Sequence, residues 1–180
     1  MSFTQALGPI GPRIAAAFRT WPGVKGWVET AVIGFLFTAV ALPLGLFSDF
    51  LSWQSAPLEA GAFAAVLVIT FFVPSLFEET LFRAMLLPRT GEPGFNLRTR
   101  TGWDLFGLVV FVAMHPLNAL LFRPEARPVF CAPVFLALAA LLGAACTLAF
   151  RRTNSVWPPV VLHWLAVVCW KAFLGGSAGV

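Results

Sequence analysis

Ser75-Leu76-Phe77-Glu78-Glu79-Thr80-Leu81-Phe82-Arg83 closes an apolar run that begins near Ala60. Two adjacent carboxylates and an arginine are costly there, because a charge set in a bilayer without compensation costs at least about 3 kcal/mol. A helix through the stretch puts Glu79 and Arg83 at i, i+4, where they can pair along one face. Glu78 then points about 100° away, without that partner. One carboxylate is held by the arginine, and the other is left to meet groups from other helices. That division is what a reacting carboxylate requires.

The rest of the chain sets this cluster in a membrane. Of its 180 residues, 59% are hydrophobic and 11% charged, with 19 Phe and 7 Trp, and the mean hydropathy is +0.85. A soluble domain of this length has too little interior for so much apolar surface, so lipid is the expected solvent. The net charge of +4 does not point to nucleic acid, because the basic residues punctuate apolar runs instead of gathering on a polar face. Cys131, Cys146 and Cys169 sit in separate apolar runs without metal-type spacing and are expected to be small core residues. No apolar core of roughly 7–15 residues follows an early positive charge, so no cleaved signal peptide is expected.

The expected fold is an all-α polytopic transmembrane bundle of about five spanning helices with short interfacial helices. Residues 1–26 form an N-terminal cytoplasmic or interfacial segment, with a surface helix over Ile14 to Trp21. Residues 27–174 form the membrane-embedded domain, and 175–180 a tail. The spans run from Trp27 to Phe47, from Ala60 to near Arg89 with a kink at Pro74, from Trp103 to Phe122, from Phe130 to Phe150, and from Val156 to Leu174. Gly91 to Thr101 reads as a polar loop. Asn154 or Ser155 is the expected N-cap of the last span, whose Pro158 and Pro159 fit a first helical turn.

Positive charge orients the bundle. Arg13, Arg19 and Lys25 precede the first span, Arg89, Arg98 and Arg100 join the second and third, and Arg151 and Arg152 join the last two. The other side has Arg123, Arg127 and Lys171. The positive-inside rule makes the amino end cytoplasmic, as expected of a bacterial inner-membrane protein.

The chain has two histidines, His115 and His163, both inside apolar spans. At helical rise, His115 lies roughly 18 Å beyond Trp103, His163 roughly 12 Å beyond Ser155 and Glu78 roughly 16 Å back from Arg89, all from the same face. A carboxylate and two imidazoles on three spans therefore reach similar depth, where they can share one wet pocket. Alone, a Glu-Arg pair is explained by packing and a buried His by an interhelical hydrogen bond. Glu78, Glu79, Arg83, His115 and His163 together point to an active site. One carboxylate and two histidines also suit zinc with an open position for water, although neither histidine has the HExxH spacing.

Glu78-Glu79-x-x-x-Arg83, then Phe111-x-x-x-His115 in the next span, then His163 in a later one, resembles the CPBP family. These are intramembrane glutamic proteases that include type II CAAX prenyl endopeptidases and bacteriocin-processing or immunity proteins. The resemblance covers roughly Ala60 to Leu174. It implies a hydrolase needing no cofactor, with membrane lipid around it and a hydrophobic or lipidated peptide as substrate. Glu78 would be the general base, His115 would hold the water and His163 would donate to the oxyanion, supported by Glu79, Arg83 and Phe111. One position departs: the family commonly has Asn or Asp four residues after the last histidine, where this chain has Val167. Asn118, one turn after His115, is the candidate substitute amide. A membrane immunity or scaffold protein that kept the family's polar core for packing is the competing function. A proton-coupled transporter also uses buried Glu and His but needs a continuous polar path, which the outer halves of these spans do not offer.

Overall fold

A computed structural model describes residues 10–54 and 58–176, and these are helical almost throughout. The expected segments at 1–9 and 177–180 lie outside the described residues. Helix α1 is Ile10–Arg19 and α2 is Val24–Phe47. Helix α3 is Ala60–Met85 and α4 is Leu97–Leu121. A short α5, Arg127–Phe130, precedes α6, Pro133–Thr153, and α7, Trp157–Phe173. Four of these, α2, α3, α4 and α6, have the length and apolar composition to cross a membrane. Helix α7 has 17 residues, a rise of about 26 Å. It packs among α2, α3 and α6.

The packing is that of a protein whose solvent is lipid. On α2 the bulky Val28, Val32, Phe35, Leu36 and Val40 face outward, while Ile33, Ala41 and Gly45 are buried. Small residues let helices approach where no difference in hydrophobicity drives association. On α6, Gly143 is such a point. A Cβ there would stand 2.8 Å from Leu108 Cδ1 and 3.0 Å from Phe111 Cδ1, so α4 can close on α6 only because Gly143 lacks a side chain.

Helix α3 breaks where expected. Val73 leaves the helical region at φ −134°, ψ 115°, just before Pro74. Beyond the break, one α-helical turn, Phe77–Glu79, leads into a wide π-helical turn at Thr80–Met85. Leu86 N accordingly donates to Leu81 O five residues back, at 3.2 Å. Wide turns of this kind often mark functional segments.

Three expectations shift at helix ends. The surface helix begins at Ile10, and it docks on the Thr80–Met85 turn with Ala17 buried. Arg13 is buried too, its Nε donating to Glu92 at 3.0 Å and its guanidinium lying 5.3 Å from the Phe95 ring. The polar loop ends at Asn96, not Thr101, because Asn96 Oδ1 accepts from Thr99 N at 2.9 Å and caps α4. A capped polar turn can thus stand above the membrane as helix. Asn154 ends α6 instead of starting α7: it adopts a left-handed conformation, φ 52°, and its N donates to Phe150 O at 2.7 Å. Ser155 Oγ does accept from Trp157 N, at 3.3 Å.

Gly143→Val is expected to destabilise the bundle by roughly 1–3 kcal/mol, the usual cost of overpacking. Gly102→Ala, with nothing within 4 Å of its added Cβ, should be neutral. Denaturation midpoints in a detergent titration compare the two.

Candidate active site

The polar centre begins at Glu79, which has no exposed surface. Arg83, one turn on, donates from Nη1 to Glu79 Oε1 at 3.2 Å, and its Nε lies 3.1 Å from Oε2. Its Nη2 donates to Gly143 O of α6 at 2.9 Å, and its guanidinium stacks 4.7 Å from the Phe111 ring. The expected Glu79-Arg83 pair is present, and two further helices hold its cation.

The carboxylate has a second partner that the spacing did not suggest. His163 of α7, 3% exposed, brings Nδ1 to 2.8 Å from Glu79 Oε1. A carboxylate already accepting from an arginine can only accept from this nitrogen, so Nδ1 carries the proton and donates. Nε2 is left as the other working nitrogen of the ring.

His115 is set in a similar way by backbone. Its Nδ1 donates to Phe111 O one turn back at 3.0 Å, which leaves Nε2 as acceptor. Aromatic edges fix the ring: its centroid is 5.2 Å from Phe111 and from Phe135, and 5.5 Å from Phe130. Phe111 also meets His163, centroids 6.0 Å apart. One aromatic ring therefore touches Arg83, His115 and His163, the packing role expected of Phe111.

Glu78 faces a different space. It lines a cavity of about 930 Å³ together with Phe111, His115, Asn118 and His163. Glu79 and Arg83 do not line it and stand behind its wall. Glu78 Oε2 is buried and, among the described residues, accepts no hydrogen bond. The two neighbouring glutamates are thus separated as the helical angle predicts, one toward the protein and one toward the cavity. Val167 also lines the cavity and offers no donor there. Among the described residues no three His, Cys, Asp or Glu side chains are placed to hold a metal ion. The three cysteines are free thiols; Cys146 is a core residue as expected, whereas Cys131 and Cys169 are exposed.

The arrangement can deliver a proton acceptor, a second acceptor and an imidazole backed by a carboxylate to one apolar cavity in the membrane. This is a set suited to activating water. The family model of the type II CAAX prenyl endopeptidases, Rce1-like, matches residues 60–169. The chain belongs to the Rce1-like family. The matched region runs from the first turn of α3 almost to the end of α7 and contains Glu78, Glu79, Arg83, His115 and His163. Membership in the Rce1-like family implies a protease, and the apolar helices make it an integral membrane one. None of the curated proteins and none of the solved structures matches the chain.

Glu79→Ala should destabilise the bundle by about 3–5 kcal/mol, because it strands the buried Arg83 charge. Glu78→Gln, on the cavity side, should leave the thermal transition of purified protein in place. Fluorescence-detected size exclusion after a heat series distinguishes the two.

Proposed function

We propose that this chain is an intramembrane endopeptidase that hydrolyses a peptide bond in a hydrophobic or lipidated polypeptide, using water activated by Glu78 and His115. The observation that carries the reading is that Glu78, His115 and His163 line one cavity while Glu79 and Arg83 are turned away from it.

In this reading the Glu78 carboxylate takes a proton from water as the water oxygen attacks the scissile carbonyl carbon. His115 Nε2 accepts a hydrogen bond from the second O–H and so orients the nucleophile. The carbonyl oxygen becomes an oxyanion, to which His163 donates from Nε2. That donation requires a proton on both ring nitrogens, since Nδ1 already donates to Glu79. As the C–N bond breaks, Glu78 returns its proton to the leaving nitrogen, giving one new carboxyl and one new amino terminus.

Val167 favours the second reading, a membrane immunity or scaffold protein, because it puts an apolar side chain on the cavity wall where the family commonly has Asn or Asp. Asn118 on the same wall is the amide available to this chain. If the protein acts without cleaving, Glu78→Gln retains the cellular phenotype; an enzyme loses it.

In reconstituted membranes, Glu78→Gln and His115→Ala should each lower kcat/KM by roughly 10²–10⁴-fold. His163→Ala should lower it by roughly 10²–10³-fold, the usual effect of losing an oxyanion donor. A proteomic comparison of cells holding wild type and Glu78→Gln should reveal a membrane polypeptide that gains length in the variant. Full cleavage by Glu78→Gln would end the proposal.

A further inference from the structure

The cavity is not placed evenly across the bundle. Its deepest polar wall is Glu78, His115 and His163 at mid-span, and from there it extends to one end only. Trp53, Arg123 and Leu174 line it at that end, beyond the last turns of α2, α4 and α7. Its lining includes no residue from the opposite end, neither the start of α2 and α4 nor the α6–α7 turn.

That opposite end is where the positive charge collects. Packing brings the eight basic residues within 13–25, 89–100 and 151–152, before or in the first turns of α2 and α4 and in the last turn of α6, onto one face of the bundle. Arg13 reaches Glu92, Arg151 reaches Asp104 at 2.9 Å and Arg89 reaches Thr20 at 2.9 Å. A Cβ on Gly26 at the start of α2 would stand 3.1 Å from Thr153 at the end of α6. The cavity end has Arg123, Arg127 and Lys171, so the charge asymmetry read along the chain holds in three dimensions. By the positive-inside rule, the face without an opening is the cytoplasmic one.

The cavity also opens sideways. Ile69 is 62% exposed, Val73 61% and Leu165 48%, although all three line it. They lie in the spans, so the space they border is hydrocarbon, in the leaflet on the cavity side of Glu78. A polypeptide can enter there from lipid without first crossing an aqueous face.

We infer that the cavity takes its substrate from the non-cytoplasmic leaflet. The cleaved bond then belongs to a membrane-inserted or lipid-anchored polypeptide that presents an extended segment on the far side of the membrane from the basic loops. The inference rests on the endopeptidase reading for its chemistry and on the cavity's direction and the charge asymmetry for its side. A substrate presented from the cytoplasm would meet the closed, arginine-lined end.

Two readouts test it. Cys131 is exposed at the cavity end, next to the cavity-lining Phe130, and Lys25, 91% exposed in its side chain, marks the other face. Cys169 is also exposed and lines the cavity, so both measurements use a Cys169→Ser chain. In intact spheroplasts a membrane-impermeant maleimide should label Cys131 of that chain, and adding Cys131→Ser should abolish the signal. Lys25→Cys, made on the chain with both substitutions, should label only after permeabilisation. The polypeptide that gains length in Glu78→Gln cells should have its uncleaved segment digested by protease added outside those spheroplasts. Labelling of Cys131 only after permeabilisation, or an uncleaved segment protected until lysis, would overturn the inference. If no polypeptide gains length, the endopeptidase reading fails and the substrate half of the inference fails with it, while Cys131 still decides the side on which the cavity opens.

Discussion

A carboxylate with no exposed surface, Glu79, is held inside the membrane by a guanidinium from its own helix and an imidazole from α7. Each partner alone would be a buried charge or an unsatisfied polar ring, and each is anchored elsewhere as well. Arg83 reaches Gly143 on α6 and stacks on Phe111 of α4. One acidic group thereby ties four helices together at the depth where hydrocarbon makes every unpaired polar atom expensive. Removing it costs more than one hydrogen bond, because the cost falls on the groups left behind.

The same tie creates the difference between the two glutamates. With Glu79 paired to Arg83 and His163 on the protein side, Glu78 is left toward the cavity, and the rings around it are fixed through their Nδ1 atoms. Backbone holds His115 and Glu79 holds His163. Preorganisation of this kind is how a low-dielectric pocket gains from a few donors and acceptors. The lipid contributes too, since on α2 the bulky residues face outward and small ones such as Ala41 and Gly45 face the bundle.

Much of this was legible in the chain. The apolar runs, the break at Pro74 and the separation of Glu78 from Glu79 follow from composition and helical angle, and the depth of His115 and His163 follows from rise. The contact between His163 and Glu79 was not legible, because periodicity gives a direction about a helix's own axis and says nothing of the neighbour it meets. Gly143 left only a weak mark, one glycine in a Leu- and Ala-rich span, and its carbonyl as an arginine acceptor leaves no side-chain signal at all. The helix ends at Asn96 and Asn154 were misread for a related reason. Asn serves as an N-cap or in a left-handed C-cap equally well, and tertiary contacts decide: Asn154 also accepts from Thr90 N at 2.8 Å.

The break at Val73 and the wide turn at Thr80–Met85, one on each side of Phe77–Glu79, have a consequence for how such a chain can drift over time. The first restarts the helix and the second holds one residue more per turn than an α-helix, so the phase of the two glutamates is set by local backbone as well as by side chains. Insertions at the exposed Pro93–Gly94 turn between α3 and α4 would lengthen a solvated bend. One residue inserted within Ser75–Arg83, ahead of the acids, would swing them by about a quarter turn and carry the reactive one into the tethered one's place against the protein. Lineages of this protein should therefore vary in length at their rims while that nine-residue interior stays fixed in count, whatever happens to its apolar letters.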